Sequence, residues 1–225
     1  MEARSLELDD AVVAHGLQVL AGLDLWAGIS GTSRSVLLAA VESFGVRGFH
    51  GTNLRHIAEG SGRSTAALYV HFRSKEELLF EISLRGHTVA RDLVEAVVAL
   101  SLPPSDGLCC FVYAFTRWHA EHRTTARVVQ YEQAALSAEH ARVIADIGHR
   151  TEHGVRTLIA LGAETGVFDA LDVRGAAAAV LSLGIDVARW YRSGVPYDPD
   201  RLSRLYAALA LRMLGGGPAS QRDPG

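Results

Sequence analysis

The chain has 225 residues, 48% of them hydrophobic and 21% charged, and its formal net charge is −3 at pH 7. That apolar content supports one or two packed domains and excludes a chain disordered throughout. The weak negative charge excludes a protein that coats nucleic acid through a broad basic surface.

No apolar run approaches the roughly 20 residues needed to span a bilayer. The N-terminus lacks a basic region ahead of an apolar core, so no secretory leader is expected and the chain reads as cytoplasmic, with no membrane partner. Residues 1–32 read as an extension. Asp9 or Asp10 can cap a short amphipathic helix from Ala11 to Leu25, closed by Gly28–Gly31. Two outcomes stand for it, a helix packed on the rest of the chain or an unordered tail. Ser33–Val46 follows with Val36, Leu37, Ala40, Val41 and Phe44 at helical spacing. Two short helices come next, then a long one from Lys75 to about Leu100, ended by Pro103-Pro104. Further helices are expected from Ser105 or Asp106 to about His122, from Thr124 or Thr125 to about Leu136, and from Ala138 to Thr165. The last two run from a cap at Asp172 to about Arg192, and from Asp200 to Leu214, with a loop at Gly194–Pro199 between them. Strand-like alternation is essentially absent. The expectation is an all-α chain of about nine helices: a three-helix head at 33–84, a helical body at 85–214 and a disordered tail at 215–225.

The two short helices carry most of the information. Thr52 is a candidate N-cap, and Asn53–Glu59 places Leu54, Ile57 and Ala58 on one side. Gly60, Ser61 and Gly62 break that pattern. Ser64 caps a second helix with Ala67, Leu68 and Phe72 as its stripe, and Ser74 caps the next, with Glu77 completing a capping box. Helix, tight turn and helix is the unit that presents side chains to the DNA major groove. Here the chain resembles the TetR family of bacterial one-component transcription regulators. The likeness runs through Gly48-Phe49, Thr52, Ile57-Ala58, Gly62, Ser64, Leu68-Tyr69, His71-Phe72 and Ser74-Lys75-Glu76-Glu77-Leu78, and is strong over about Ser33 to Leu84. Arg63 departs from the family, which usually has a small apolar residue there, and Gly60 replaces the usual Ala; both predict a looser turn.

The resemblance implies a double-stranded, near-palindromic operator as partner. Thr52 and Asn53 suit phosphates at a helix N-terminus. Tyr69 and Lys75 are implied backbone contacts, with His71 as a further candidate. Arg55 would reach a guanine edge from the second helix. Ser64, Thr65 and Ala66 open the recognition helix, where a hydroxyl and a methyl can read base edges. Arg63 is open between a groove-reading cation and a solvated turn residue. From Arg34 to Arg85 seven basic residues face five acidic ones, a net of +2, and Lys75 is the only lysine in the chain. A weakly basic head on an acidic remainder suits a DNA reader with a separate sensor.

The family binds DNA as a homodimer, and the last two helices are the candidate interface. Small residues at Ala176–Ala179 and Gly184 permit close approach, and Leu202, Leu205, Leu209 and Met213 stripe the final helix. Phe111, Phe115, Trp118, Val129, Glu132 and Ile159 are candidate linings of an effector pocket. The C-terminal stretch from Asp186 to Leu214 loosely resembles the branch of the family that senses acyl-CoA thioesters, and Arg117, Arg123, Arg127 and Arg150 are available for a phosphate. A small lipophilic or acyl-CoA effector that releases DNA is therefore expected, with the Lys75–Leu100 helix as the lever. An enzyme alternative exists: His149-Arg150-Thr151-Glu152-His153 matches the inverted zinc-peptidase motif, a metal-dependent hydrolase pattern. Its distant third ligand is missing, since only Glu164 follows nearby, so no catalytic residue, metal or cofactor is expected. The adjacent Cys109 and Cys110 read as core residues or as a redox sensor; adjacent thiols rarely bridge.

Overall fold

The computed structural model describes residues 8–170, 172–192 and 196–215. The tail from 216 onward and part of the 194–199 loop lie outside the described residues. Within them the chain is helical without strands: α1 (Asp10–Ala21), α2 (Gly31–Gly51), α3 (Leu54–Ser61), α4 (Thr65–His71), α5 (Lys75–Ala99), α6 (Pro104–Glu121), α7 (Arg123–Tyr131), α8 (Ala138–Glu164), α9 (Val173–Trp190) and α10 (Pro199–Met213). A single 3-10 turn, Gln133–Ala135, separates α7 from α8. The helix beyond the expected nine is α1, in the extension.

The helices fall into two compact units. Among the described residues, the head comprises 24–89 and 122–148, and the body those within 1–23, 90–121 and 149–225. In the body, α6 is buried on every side, from Gly107 through Thr116 and again at Trp118–Ala120. A helix that is apolar all round must sit at the centre of a domain. Helices α1, α9 and α10 pack around it. The extension therefore folds as a helix: α1 buries Val12, Val13 and Gly16 in this core. At the α6–α9 contact Gly184 leaves no clearance, since a Cβ there would lie 2.4 Å from a Phe115 ring carbon. Cys109 and Cys110 are free thiols in the same core. Burial holds both thiols above the ordinary range, Cys110 at about 11, so neither carries the thiolate that redox chemistry requires.

A polar chain crosses this apolar region. The Tyr113 hydroxyl donates to Asp200 at 2.6 Å and accepts from Arg117 at 2.8 Å. Arg204 donates to the other oxygen of Asp200 and reaches Asp10 and the Leu8 carbonyl. One network thus ties α6, α10 and α1. Burial first, and then the bond to Asp200, push the Tyr113 phenol up to about 12. Burial alone would raise the Asp200 carboxyl, but its bonds from Tyr113 and Arg204 outweigh that and hold it below the usual range.

The head has its own core. Val36, Leu37, Ala40, Val41 and Phe44 of α2 are at most 4% exposed, as their spacing predicts; Ile57, Ala58, Leu68, Leu78, Leu79 and Ile82 are buried as well, and α2 packs on α3. Helix α2 starts earlier than expected, capped by Ser30, and runs on to Gly51 through a break at Gly48. The segment predicted as one helix from 124 to 136 is α7 plus the 3-10 turn, broken at Glu132.

Two outcomes test the body. Gly184→Ala should lower stability by about 1–3 kcal/mol through overpacking, read from urea unfolding. Tyr113 keeps its proton in the folded chain to about pH 12 but ionises near 10 when unfolded. Between those values the folded state binds the extra proton, so stability falls as pH rises. Tyr113→Phe should flatten that fall in denaturant melts across pH 10–12.

Candidate nucleic-acid interface

The turn between α3 and α4 is built from its backbone outward. Gly62 adopts φ 67°, ψ 28°, the left-handed conformation that favours glycine. Its N–H donates to Glu59, and the N–H of Arg63 donates to Ala58 at 3.0 Å. This pair of bonds is the Schellman closure of a helix end. Ser64 then caps α4, accepting from Ala67 N–H. The turn is therefore hydrogen-bonded closed, and Arg63 leaves it with an exposed side chain while its amide completes the closure.

The N-cap of α3 is Asn53, one residue after the expected Thr52. Asn53 Oδ1 accepts from His56 N–H at 2.9 Å, and His56 Nδ1 accepts from Asn53 N–H, a reciprocal capping box. Thr52 instead ends α2. It is 2% exposed, and its hydroxyl donates to the carbonyls of Ser43 and Gly48. At the start of α5, Ser74 accepts from Glu77 N–H as expected, while the Glu77 carboxylate accepts from Arg73 N–H.

The remaining DNA candidates separate by what already holds them. Lys75 is half-buried: its ammonium donates to Phe49 O at 2.7 Å and Thr52 O at 2.9 Å and lies 4.2 Å over the Phe49 ring. Arg55 pairs with Glu59 at 2.9 Å on the open face of α3. His71 approaches the Ser33 hydroxyl at 3.4 Å. Tyr69 is 56% exposed, Ala66 is exposed and Thr65 is half-exposed. Val70, 79% exposed on α4, was not singled out from the sequence. Its signal was available: it follows Ala66 by one turn on a helix whose apolar stripe already accounts for Leu68 and Phe72.

A family profile described as bacterial regulatory proteins, tetR family, matches residues 36–82, and one described as tetracyclin repressor-like, C-terminal domain, matches 101–214. The chain belongs to the TetR family. The HTH-type transcriptional repressor KstR2 of Mycobacterium tuberculosis is 31% identical over 198 residues, covering 84% of this chain and 96% of that protein. A crystal structure of a tetR-family regulatory protein from Rhodococcus RHA1 is 39% identical, with a TM-score of 0.80, over 84% of this chain and all of that one. The structure of the ketosteroid transcriptional regulator KstR2 of Mycobacterium tuberculosis aligns at 26% identity and a TM-score of 0.76, over 84% and 97% of the two chains. The tetR profile at 36–82 thus falls within the head and contains α3 and α4, the helix-turn-helix.

The effector candidates are drawn from both units. Phe111, Phe115 and Ile159 are at most 4% exposed in the body core, and Trp118 is 7% exposed. Val129 and Glu132 belong to the head, where Glu132 accepts from the Phe49 N–H at 3.1 Å. Two clefts, of about 650 and 710 Å³, open in the head, the first lined in part by His71, Arg73, Phe80 and His140. Of the arginines available for a phosphate, Arg117 is engaged by Tyr113, Glu121 and Asp200, and Arg150 by Glu95. His149 and His153 are exposed on α8, and Glu152 faces Arg174 at 3.7 Å. No group of three or more His, Cys, Asp or Glu side chains placed to hold a metal ion occurs among the described residues, and the family relatives do not support the hydrolase alternative. No helix among the described residues is long and apolar enough to cross a membrane.

Gly62→Ala should destabilise the head by about 1–2 kcal/mol, because nothing fills the space around it and only the left-handed backbone resists a Cβ. Gly62→Asn, whose side chain tolerates that conformation, should cost less. Thermal unfolding of the two variants checks the order.

Proposed function

We propose that this TetR-family chain is a transcriptional repressor that binds a near-palindromic operator as a homodimer and leaves it when a small lipophilic or acyl-CoA molecule occupies the body. The carrying observation is the closed α3–α4 turn, which places Tyr69, Val70 and Ala66 of a short capped helix outward at once. Ser64, Thr65, Ala66, Tyr69 and His71 are its DNA contacts from α4, Asn53 and Arg55 from α3, and Arg63 from the turn. Thr52 and Lys75 act through the backbone they already hold, with Lys75 within reach of a phosphate on exchange of partners. In this reading residues 33–84 are the DNA-binding domain and 85–214 the ligand-binding and dimerisation domain, working in the cytoplasm.

The dimer reading is supported by α10, where Leu209 and Met213 are 40% and 46% exposed. Leu202 faces inward at 1% exposure, so the expected stripe divides into an inner and an outer face. On α9, Ala178 and Ser182 are exposed beside half-buried Leu181 and Ile185. An apolar face with small residues is what close helix packing between copies needs. The lipophilic effector is supported by the apolar body core and by the likeness to KstR2, a ketosteroid transcriptional regulator. The acyl-CoA option rests on the C-terminal likeness from Asp186 to Leu214. The mechanism is linkage, in which an effector that prefers the packing incompatible with DNA lowers operator affinity.

Selection of duplexes from a randomised pool tests this directly. The expected product is an inverted repeat with half-site centres about one or more 10-bp turns apart, bound by two chains. No enriched sequence, or a single half-site bound by one chain, would sink the reading.

A further inference from the structure

Glu132 lies 83 residues from Phe49 in sequence, yet its carboxylate takes the Phe49 amide. This places it at the base of the helix-turn-helix. Gly48 carries φ 70° and breaks α2 there, and a Cβ at Gly48 would come within 3.6 Å of the second Glu132 oxygen. The Phe49 carbonyl is held from the other side by Lys75. Phe49 is thus gripped at both of its backbone groups, the N–H by an acid from the end of α7 and the C=O by a cation from the start of α5. Five residues later α3 begins. Helix α7 packs on α2 as well, with Thr124 filling the space that Gly45 leaves.

We propose that Glu132 is a positioning residue for operator binding: by holding the Phe49 amide it ties the α7–3-10 segment to the α2–α3 junction and sets how α3 and α4 are presented to DNA. The inference rests on the DNA-binding reading above. The chain around Glu132 is shaped for this task. Its backbone (φ −101°, ψ 6°) ends α7 and opens the 3-10 turn, so its side chain leaves at a break where the segment can shift without bending a helix. A shift of that segment pulls on the Phe49 N–H while Lys75 holds the Phe49 carbonyl, so the residue between these two peptides turns about the held end. The residues that follow it, Thr52 and Asn53, end α2 and cap α3. Glu132 touches no base or phosphate in this account; it acts through Phe49.

The test uses the full chain and the duplex enriched from the randomised pool, well below the melting temperature. Glu132→Ala should weaken binding about tenfold, the effect of one unpaired buried amide. The slope of affinity against salt should be unchanged, because no phosphate contact is lost. Glu132→Gln keeps an acceptor and should bind within about twofold of wild type. Hydrogen exchange without DNA supplies the second readout: peptides covering residues 46–56 should exchange faster in Glu132→Ala and near the wild-type rate in Glu132→Gln. Faster exchange with unchanged duplex affinity overturns the positioning role and leaves the DNA-binding reading intact. A salt slope changed by about one unit means that the substitution alters a cation–phosphate contact elsewhere, and overturns it too. Failure of the wild-type chain to enrich any duplex overturns the DNA-binding reading and this inference together.

Discussion

The head hangs on the place where α2 stops. A helix can end in many directions, and here the direction is fixed by four groups acting on five residues. Gly48 supplies the backbone reversal, Thr52 returns its hydroxyl to the carbonyls of Ser43 and Gly48, and Lys75 and Glu132 hold the carbonyl and the N–H of Phe49. Each bond is ordinary in strength, worth about 0.5–1.5 kcal/mol net, or more where charged. Their joint effect is geometric. The axis of α3 is set by this junction, and the axis of α4 is set by the Schellman turn at Gly62. Two well-determined joints in series make a recognition helix with a defined pose, although α4 itself has only seven residues and would be marginal alone.

This arrangement consumes charge. The only lysine of the chain is spent on backbone carbonyls, and Arg55 is paired with Glu59. The exposed pair is worth little in stability, and its carboxylate can be left behind when a phosphate or a guanine edge offers a better partner. In the proposed reading the head's free charge therefore comes from the exposed arginines Arg34, Arg47, Arg63 and Arg73, with the hydroxyls of Ser64, Thr65 and Tyr69 and the apolar surfaces of Ala66 and Val70 beside them. Phosphate contacts by such cations would position the head, and the contacts from α4 would supply the specificity.

The sequence made the head legible because its signals are local. Ser64 precedes Ala67 by three residues and Ser74 precedes Glu77 by three, and those spacings are the caps seen. Val36 to Phe44 shared a helix face on paper and share a core in space. The failures lie where a distant partner decides. Thr52 and Asn53 are both good caps, and only the carbonyls of Ser43 and Gly48, presented by the end of α2, draw Thr52 inward and leave the cap to Asn53. Nothing near Glu132 in sequence points to Phe49. The aromatic spacing at Phe111, Phe115 and Trp118 places them on one face and is silent on what that face meets. The first two stack with ring centres 5.2 Å apart, in core.

That last point constrains how any signal can enter the body. Helix α6 is closed by α1, α9 and α10, and the contact at Gly184 has no slack against Phe115. Close-packed interiors do not stretch; they switch between discrete packings. In the proposed reading, a molecule sensed by the body would therefore have to select a second packing of these helices, and its apparent affinity would be scaled down by the fraction of chains already in that packing. The Tyr113–Asp200–Arg204 network opposes such a change, because parting α6 from α10 strands a buried phenol as well as opening a cavity. Polar groups that must be re-paired make the alternative packing costly in intermediate positions. The same network that holds the body closed thus favours an all-or-none response, in which effector binding is weak until the rearranged packing is reached and then commits the whole unit.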